Sequence, residues 1–247
     1  MYLKEKLNEN QNVFGTWCLL PSPEVINVIS KAGLDFVIID MEHGTIDFVT
    51  AQKMVMAAEA EGSRAVIRVS KNEESEILRA LDLGIDGIIV PHIDSVEERE
   101  KAISYIKYPP SGIRGFSPYT RAGGYRNQKD YTESENKRVL TGIIVEGESG
   151  IKNIYDIADD PQLDLVYVGT YDISSYLGIP GEVHNIKVKE ILEHAVSEIK
   201  RAGKIAGCLF HNWDDLDYFK QLGIQFLVYK VDSLVLYEGF SDIKKRT

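Results

Sequence analysis

Asp35-Phe36-Val37-Ile38-Ile39-Asp40-Met41-Glu42-His43-Gly44 is the stretch on which the reading of this chain turns. An apolar run of strand length, Phe36 to Ile39, ends in Asp40, Glu42 and His43 and stops at a glycine. A strand interior hides apolar groups, so two acids and an imidazole crowded at its exit mark a site rather than a core. The pattern recurs along the chain. Arg68 follows Ala65-Val66-Ile67, Glu146 follows Ile143-Ile144-Val145, and Asp172 comes just after Leu165-Val166-Tyr167-Val168-Gly169. Strand exits that deliver acids, a base and a cation to one side point to an enzyme.

Strand-like runs alternate with helical-period segments along almost the whole sequence. Candidate strands are Val13 to Cys18, Asp35 to Asp40, Arg64 to Val69, Gly87 to Pro91, Thr141 to Glu146, Asp164 to Gly169, Lys204 to Leu209 and Gln225 to Lys230. They are apolar almost throughout, as parallel strands covered on both faces must be. Amphipathic stretches lie between them: Pro23 to Ala32, Thr50 to Ala60, Glu73 to Leu83, Ser95 to Ile106, Val188 to Ala202 and Trp213 to Leu222. Many close on glycine, which accepts the left-handed turn at a helix end. This α/β alternation predicts one TIM barrel, (β/α)8, spanning residues 1–247 as a single domain, with a doubly wound open sheet as the alternative. The segment from Lys107 to Arg138 breaks the rhythm. Its arginines and aromatics predict an ordered lid or wall over the barrel mouth.

Composition narrows the class. A net charge of -10 argues against a nucleic-acid partner, because binding phosphates needs clustered Lys and Arg. Cys18 and Cys208 lie in apolar strand-like runs without CxxC spacing, and read as buried thiols suited to a reducing cytoplasm. The N-terminus is amphipathic and charged, unlike a secretory leader, and no apolar run approaches the roughly 20 residues a membrane span needs, so a soluble protein is expected.

Glu146 and Asp172 come from neighbouring strands and can converge on a hard divalent cation. Equally, Glu146 can cap a helix beginning near Gly150 and Asp172 the turn through Ile173 and Ser174. His43 could be oriented by a carboxylate such as Asp82, although nothing in the spacing joins them. His92, at the exit of the fourth strand, is equally open, whereas His184, His194 and His211 read as surface or helix residues. Burying Arg68 without an anion would be costly, so it meets either an acid such as Glu42 or a substrate carboxylate. Trp17 can wall a pocket or fill the core. No GxGxxG, P-loop or nucleophile elbow is present, which removes most support for nucleotide chemistry.

Together these segments resemble the HpcH/HpaI family of metal-dependent, class II pyruvate aldolases. The resemblance rests on Gly15-Thr16-Trp17, Ile39-Asp40-Met41-Glu42-His43-Gly44, Ile67-Arg68-Val69 and Ala80-Leu81-Asp82-Leu83-Gly84. It continues through Tyr108-Pro109-Pro110-Ser111-Gly112-Ile113-Arg114-Gly115, Val145-Glu146 and Gly169-Thr170-Tyr171-Asp172-Ile173-Ser174. It implies a barrel whose last helix is exchanged between subunits of a hexamer. It further implies that Glu146 and Asp172 bind a divalent metal ion (Mg²⁺, Mn²⁺ or Co²⁺), that Arg68 stabilises an enolate oxygen and that His43 with Asp82 forms an acid/base dyad. Trp17, Arg68 and the backbone from Gly169 through Thr170, Tyr171 and Asp172 would then bind substrate. The implied reaction reversibly cleaves a 4-hydroxy-2-oxo acid to pyruvate and an aldehyde.

Three positions depart from the family pattern: Ile144 stands where glutamine is usual, Thr170 where proline is usual and His92 where an apolar residue is usual. Gly123-Gly124 also replaces bulkier residues. The alternatives are a citrate-synthase-like member that condenses an acetyl thioester with oxaloacetate, and a silent barrel that binds a 2-oxo acid without turnover.

Overall fold

The β-branched runs do become strands, and the amphipathic stretches become the helices that cover them. A computed structural model describes residues 1–245. The chain runs α1 (Leu3–Asn8), β1 (Val13–Cys18), α2 (Pro23–Lys31), β2 (Phe36–Asp40), α3 (Phe48–Ala60), β3 (Arg64–Arg68), α4 (Glu74–Asp82), β4 (Gly87–Val90) and α5 (Val96–Ile106). It continues as α6 (Tyr131–Arg138), β5 (Leu140–Val145), α7 (Glu148–Lys152), α8 (Ile154–Ala158), β6 (Leu165–Val168), α9 (Thr170–Tyr176), α10 (Ile186–Arg201), β7 (Ile205–Phe210), α11 (Trp213–Leu222), β8 (Phe226–Val231) and α12 (Asp232–Lys245). All eight strands pair in parallel and in sequence order, with β8 returning to β1, so the sheet closes as a TIM barrel.

The pleat sorts side chains between two cores, because successive residues of a strand face opposite sides. Val37 and Ile39 of β2 join the shell between strands and helices. Phe36 and Ile38 point inward, where they meet Val13, Val66, Leu140 and Phe226. The same alternation carries Asp40, next in the inward row, to the mouth of the barrel. Two aromatic rings, Phe36 and Phe226, stack in the interior at 4.1 Å between centroids. Gly15 of β1 makes room for them, since a Cβ at that position would lie 2.3 Å from the Phe36 ring. From below, α1 plugs the barrel with the buried Leu3 and Leu7, and the Leu3 N–H is held by Asp86 Oδ2 at 2.8 Å.

The segment expected to cover the mouth lies at the other end. Arg121 donates to the Leu83 carbonyl at 2.7 Å, the Ala122 N–H to Asp82 at 3.2 Å, and Arg138 to Ile85 at 2.9 Å. These partners sit between the last turn of α4 and the start of β4, the N-terminal end of the barrel. The reason is directional. The insertion follows a helix and precedes a strand, and such connections form on the face opposite the catalytic loops. Lys107 to Arg138 is therefore a floor and not a lid.

Helix α12 is poorly covered. Val235, Leu236, Tyr237, Phe240 and Ile243 are exposed, and Asp232 is its one buried residue among those described. Cys18 and Cys208 are free and buried. No helix among the described residues is long and apolar enough to cross a membrane.

Gly15→Ala is expected to destabilise the fold by about 1–3 kcal/mol, the usual range for overpacking a filled core. Adding Phe36→Leu should recover part of that loss by vacating the ring's space. Urea denaturation of the single and double variants checks this, and strictly additive losses would mean the two positions do not compete for one volume.

Candidate active site

Charge at the mouth is organised around Arg68, the last residue of β3. It pairs in register with Asp40, the last residue of β2. The guanidinium grips that carboxylate with two prongs, Nε to Oδ1 at 2.9 Å and Nη2 to Oδ2 at 2.5 Å. Asp40 Oδ1 also accepts the backbone N–H groups of Glu42 and His43 at 3.0 and 3.3 Å, which fixes the turn after β2. Nη1 of Arg68 lies 2.9 Å from Glu42 Oε2, but that oxygen has no aligned hydrogen-bond donor and remains a buried, unpartnered acceptor. Burial opposes the charge on Arg68, yet Asp40, Glu42 and Glu146 together hold its pKa above the ordinary arginine value. Its plane lies 4.5 Å over the Trp17 ring, adding a cation–π contact.

His92 links this pair to the next strand. It follows β4 with φ of 56°, in the left-handed region. Its Nε2 is 2.6 Å from Glu42 Oε1 and its Nδ1 is 2.8 Å from Glu146 Oε1. The His92 backbone N–H donates to that same Glu146 oxygen at 3.2 Å. Glu146 does not cap a helix: α7 begins after Gly147 without a side-chain cap. Its carboxyl is pushed up to about 7, first by burial, with His92 opposing the shift and nearby Asp172 reinforcing it. Asp172 occupies the first turn of α9, lines the same cavity as Glu146 and is near enough to push that carboxyl's pKa up. Gly169 leaves the space these groups need, because a Cβ there would stand 2.8 Å from Glu146 Oε2.

A cavity of about 340 Å³ opens over these residues, lined by Trp17, Asp40, His43, Arg68, Glu146 and Asp172. Ile144, Tyr167 and Leu209 make its apolar floor. Trp17 serves both readings, since it lines the cavity while its Nε1–H donates to the buried Tyr167 hydroxyl at 3.0 Å. Gly169, Thr170 and Tyr171 form one wall. Thr170 is the first residue of α9, where proline is easily accommodated but carries no N–H. Threonine keeps that donor, so the N–H groups of Thr170, Tyr171 and Asp172 all precede the first intrahelical bond.

Asp82 is not brought to His43. It ends α4 at the far end of the barrel and bonds Arg114 at 3.0 Å, with burial raising its pKa. His43 is exposed and lines the cavity without it. His211, read as a surface or helix residue, instead follows β7 and stands 3.1 Å from the Tyr171 hydroxyl. Asp40 stands out in the sequence only as one of the acids at the β2 exit, without a partner, and Tyr167 only as part of an apolar run. Counting inward positions along each strand, 36-38-40 and 165-167-169, would have found both.

Among the described residues no three His, Cys, Asp or Glu side chains form a ready metal cage. Mg²⁺ and Mn²⁺ do not need one, since Mg²⁺ in particular is commonly held by one or two carboxylates plus water and substrate oxygens. Two close carboxyls, the glycine space beside them and an open cavity fit such an ion.

The chain is similar to known proteins along most of its length. The chain is 32% identical to a 5-keto-4-deoxy-D-glucarate aldolase of Klebsiella pneumoniae subsp. pneumoniae over 83% of this chain and 80% of that protein. It is 29% identical to a pyruvate aldolase of Rhizobium etli over 99% of this chain and 96% of that one. Among solved structures, that of citrate synthase SbnG superposes with a TM-score of 0.92 at 30% identity, covering 99% of this chain and 96% of its own. The family model for HpcH/HpaI aldolase/citrate lyase matches residues 13–237, and the chain belongs to that family.

Proposed function

We propose that this protein is a divalent-metal-dependent aldolase, a carbon–carbon lyase that joins pyruvate to an aldehyde or splits the resulting 4-hydroxy-2-oxo acid. The observation that carries the reading is the single cavity onto which Asp40, His43, Arg68, Glu146 and Asp172 all open. Glu146 and Asp172 would hold the cation, which supplies Lewis-acid stabilisation of negative charge on the keto oxygen.

The other steps belong to the chain's own groups. The N–H groups at the start of α9 are free to bind the pyruvate carboxylate. Arg68 spends two of its five N–H donors on Asp40 and lies beside Glu42 without an aligned bond, which leaves donors for the oxygen on which enolate charge develops. His43, exposed at the rim, is placed to take a methyl proton from pyruvate. The carbanion then attacks the aldehyde carbon, and the aldehyde oxygen takes up a proton to become the 4-hydroxyl. Trp17, Ile144 and Leu209 exclude water from the floor.

Assembly belongs to this reading. The exposed apolar side of α12 supports exchange of this helix between subunits, and with it a homo-oligomer such as a hexamer. Because Asp82 lies at the far end of its own barrel, the His43–Asp82 dyad is available only if Asp82 of the partner subunit reaches the mouth. The two buried free thiols suit a reducing cytoplasm.

A second reading, condensation of an acetyl thioester with oxaloacetate, draws support from the likeness to citrate synthase SbnG. Pyruvate release from 4-hydroxy-2-oxo acids, coupled to lactate dehydrogenase with EDTA or added Mn²⁺, separates the two. Metal-dependent release supports the aldolase, whereas thiol release from acetyl-CoA with oxaloacetate would replace it.

Glu146→Ala and Asp172→Ala should each abolish the Mn²⁺-dependent turnover while leaving the far-UV spectrum unchanged; wild-type rates in either would remove the metal assignment. Arg68→Lys keeps the charge but not the fork, so kcat should fall by about 2–4 kcal/mol of transition-state stabilisation. An unchanged kcat would mean that Arg68 serves only Asp40. Phe240→Asp is expected to shift the sedimentation profile to smaller species, and an unaltered profile would exclude α12 from the assembly.

A further inference from the structure

Outside the acids and arginine used above, the most constrained polar side chain at the mouth is His92. Its backbone N–H is hydrogen-bonded to Glu146 Oε1 and its Nε2 to Glu42 Oε1 at 2.6 Å, while Nδ1 lies 2.8 Å from the same Glu146 oxygen as an ion-pair contact. The residue that brings its main-chain and ring nitrogens to one carboxylate oxygen has a φ of 56°, in the left-handed region. That region is uncommon for a residue with a Cβ, although histidine enters it more readily than most. The ring nevertheless stays accessible, with 63% of the side chain exposed.

These contacts close a continuous chain. Asp40 grips Arg68, Arg68 lies against Glu42, Glu42 holds His92, and His92 holds Glu146. Both short contacts to Glu146 fall on Oε1. That leaves Oε2, on the Gly169 side and in the wall of the cavity that Asp172 also lines, as the oxygen not held by His92. We infer that His92 is a positioning residue that orients Glu146 to present Oε2 to a divalent cation and ties that carboxylate to Arg68 through Glu42. The inference rests on the metal-dependent reading given above. Groups that orient a ligating carboxylate typically influence metal affinity by about 10–100-fold when removed.

The test uses Mn²⁺ alone as probe, with free Mn²⁺ counted by its EPR signal during titration of the full chain. His92→Ala is expected to weaken Mn²⁺ binding by about 10–100-fold. Added imidazole should restore much of it, because the vacated space is open to solvent. A merely structural histidine would not give that rescue. Glu42→Gln breaks the outer anchor without touching Glu146, so it should weaken binding in the same direction and serves if His92→Ala fails to fold. Combining the two should cost less than the sum of the single losses, because both act through one chain of contacts. If wild type binds Mn²⁺ and both single variants bind it equally well, the positioning role is overturned while the metal site stands. Binding that weakens without imidazole rescue, or losses that add in full, also overturns it. If wild type binds no Mn²⁺, the metal reading fails and takes this inference with it.

Discussion

The buried pair between Arg68 and Asp40 is the interaction on which the mouth of this barrel depends. Both are strand-terminal residues in direct register, so the pairing is set by backbone geometry before any side chain chooses a rotamer. Removing either partner would strand a charge in a poorly solvated place, which costs far more than the net worth of the pair. The pair is also the fixed point from which the site is built. Asp40 ties down the backbone after β2, which places Glu42 and His43, and Glu42 in turn reaches His92 on the neighbouring strand.

Barrel topology then divides labour between the two ends. Strand exits carry the charged groups and the cavity, whereas the opposite end is built for closure. There α1 plugs the interior, and the long insertion ties the lower ends of α4 and β4 together through Arg121, Arg114 and Arg138. Arginines in such a segment invite a reading as substrate ligands. Here Arg114, Arg121 and Arg138 are consumed by the Leu83 and Ile85 carbonyls and by Asp82, Glu59 and Glu135.

Most of the barrel is legible in the sequence because burial on both faces writes parallel strands as apolar runs. The strand Val13–Cys18 and the helix Trp213–Leu222 fall where periodicity puts them. Short helices such as α7, α8 and α9 carry too few residues for a helical period to emerge. The site was legible where it depends on strand exits, as with Glu146 and Arg68. Partners were not, because spacing does not say which acids a guanidinium meets. Arg68 meets Asp40 as well as the expected Glu42. Direction was the other blind spot: Asp82 and the insertion belong to helix-to-strand connections, and knowing that alone assigns them to the far end.

What remains is an excess of negative charge at the mouth. Asp40, Glu42 and Glu146 act on one guanidinium, Asp172 adds a fourth acid to the cavity, and His92 lies between Glu42 and Glu146. Asp40 is fully answered by Arg68. Glu146 is not: burial raises its carboxyl to about 7, with His92 opposing the shift and Asp172 reinforcing it, which is the direction a nearby cation would reverse. A divalent ion placed there would supply the missing charge without adding a side chain, and its remaining coordination would fall to whatever oxygens enter the cavity. A 2-oxo acid brings two such oxygens on adjacent carbons. On the proposed reading, the imbalance that raises the Glu146 pKa would favour both the cation and a substrate able to share it.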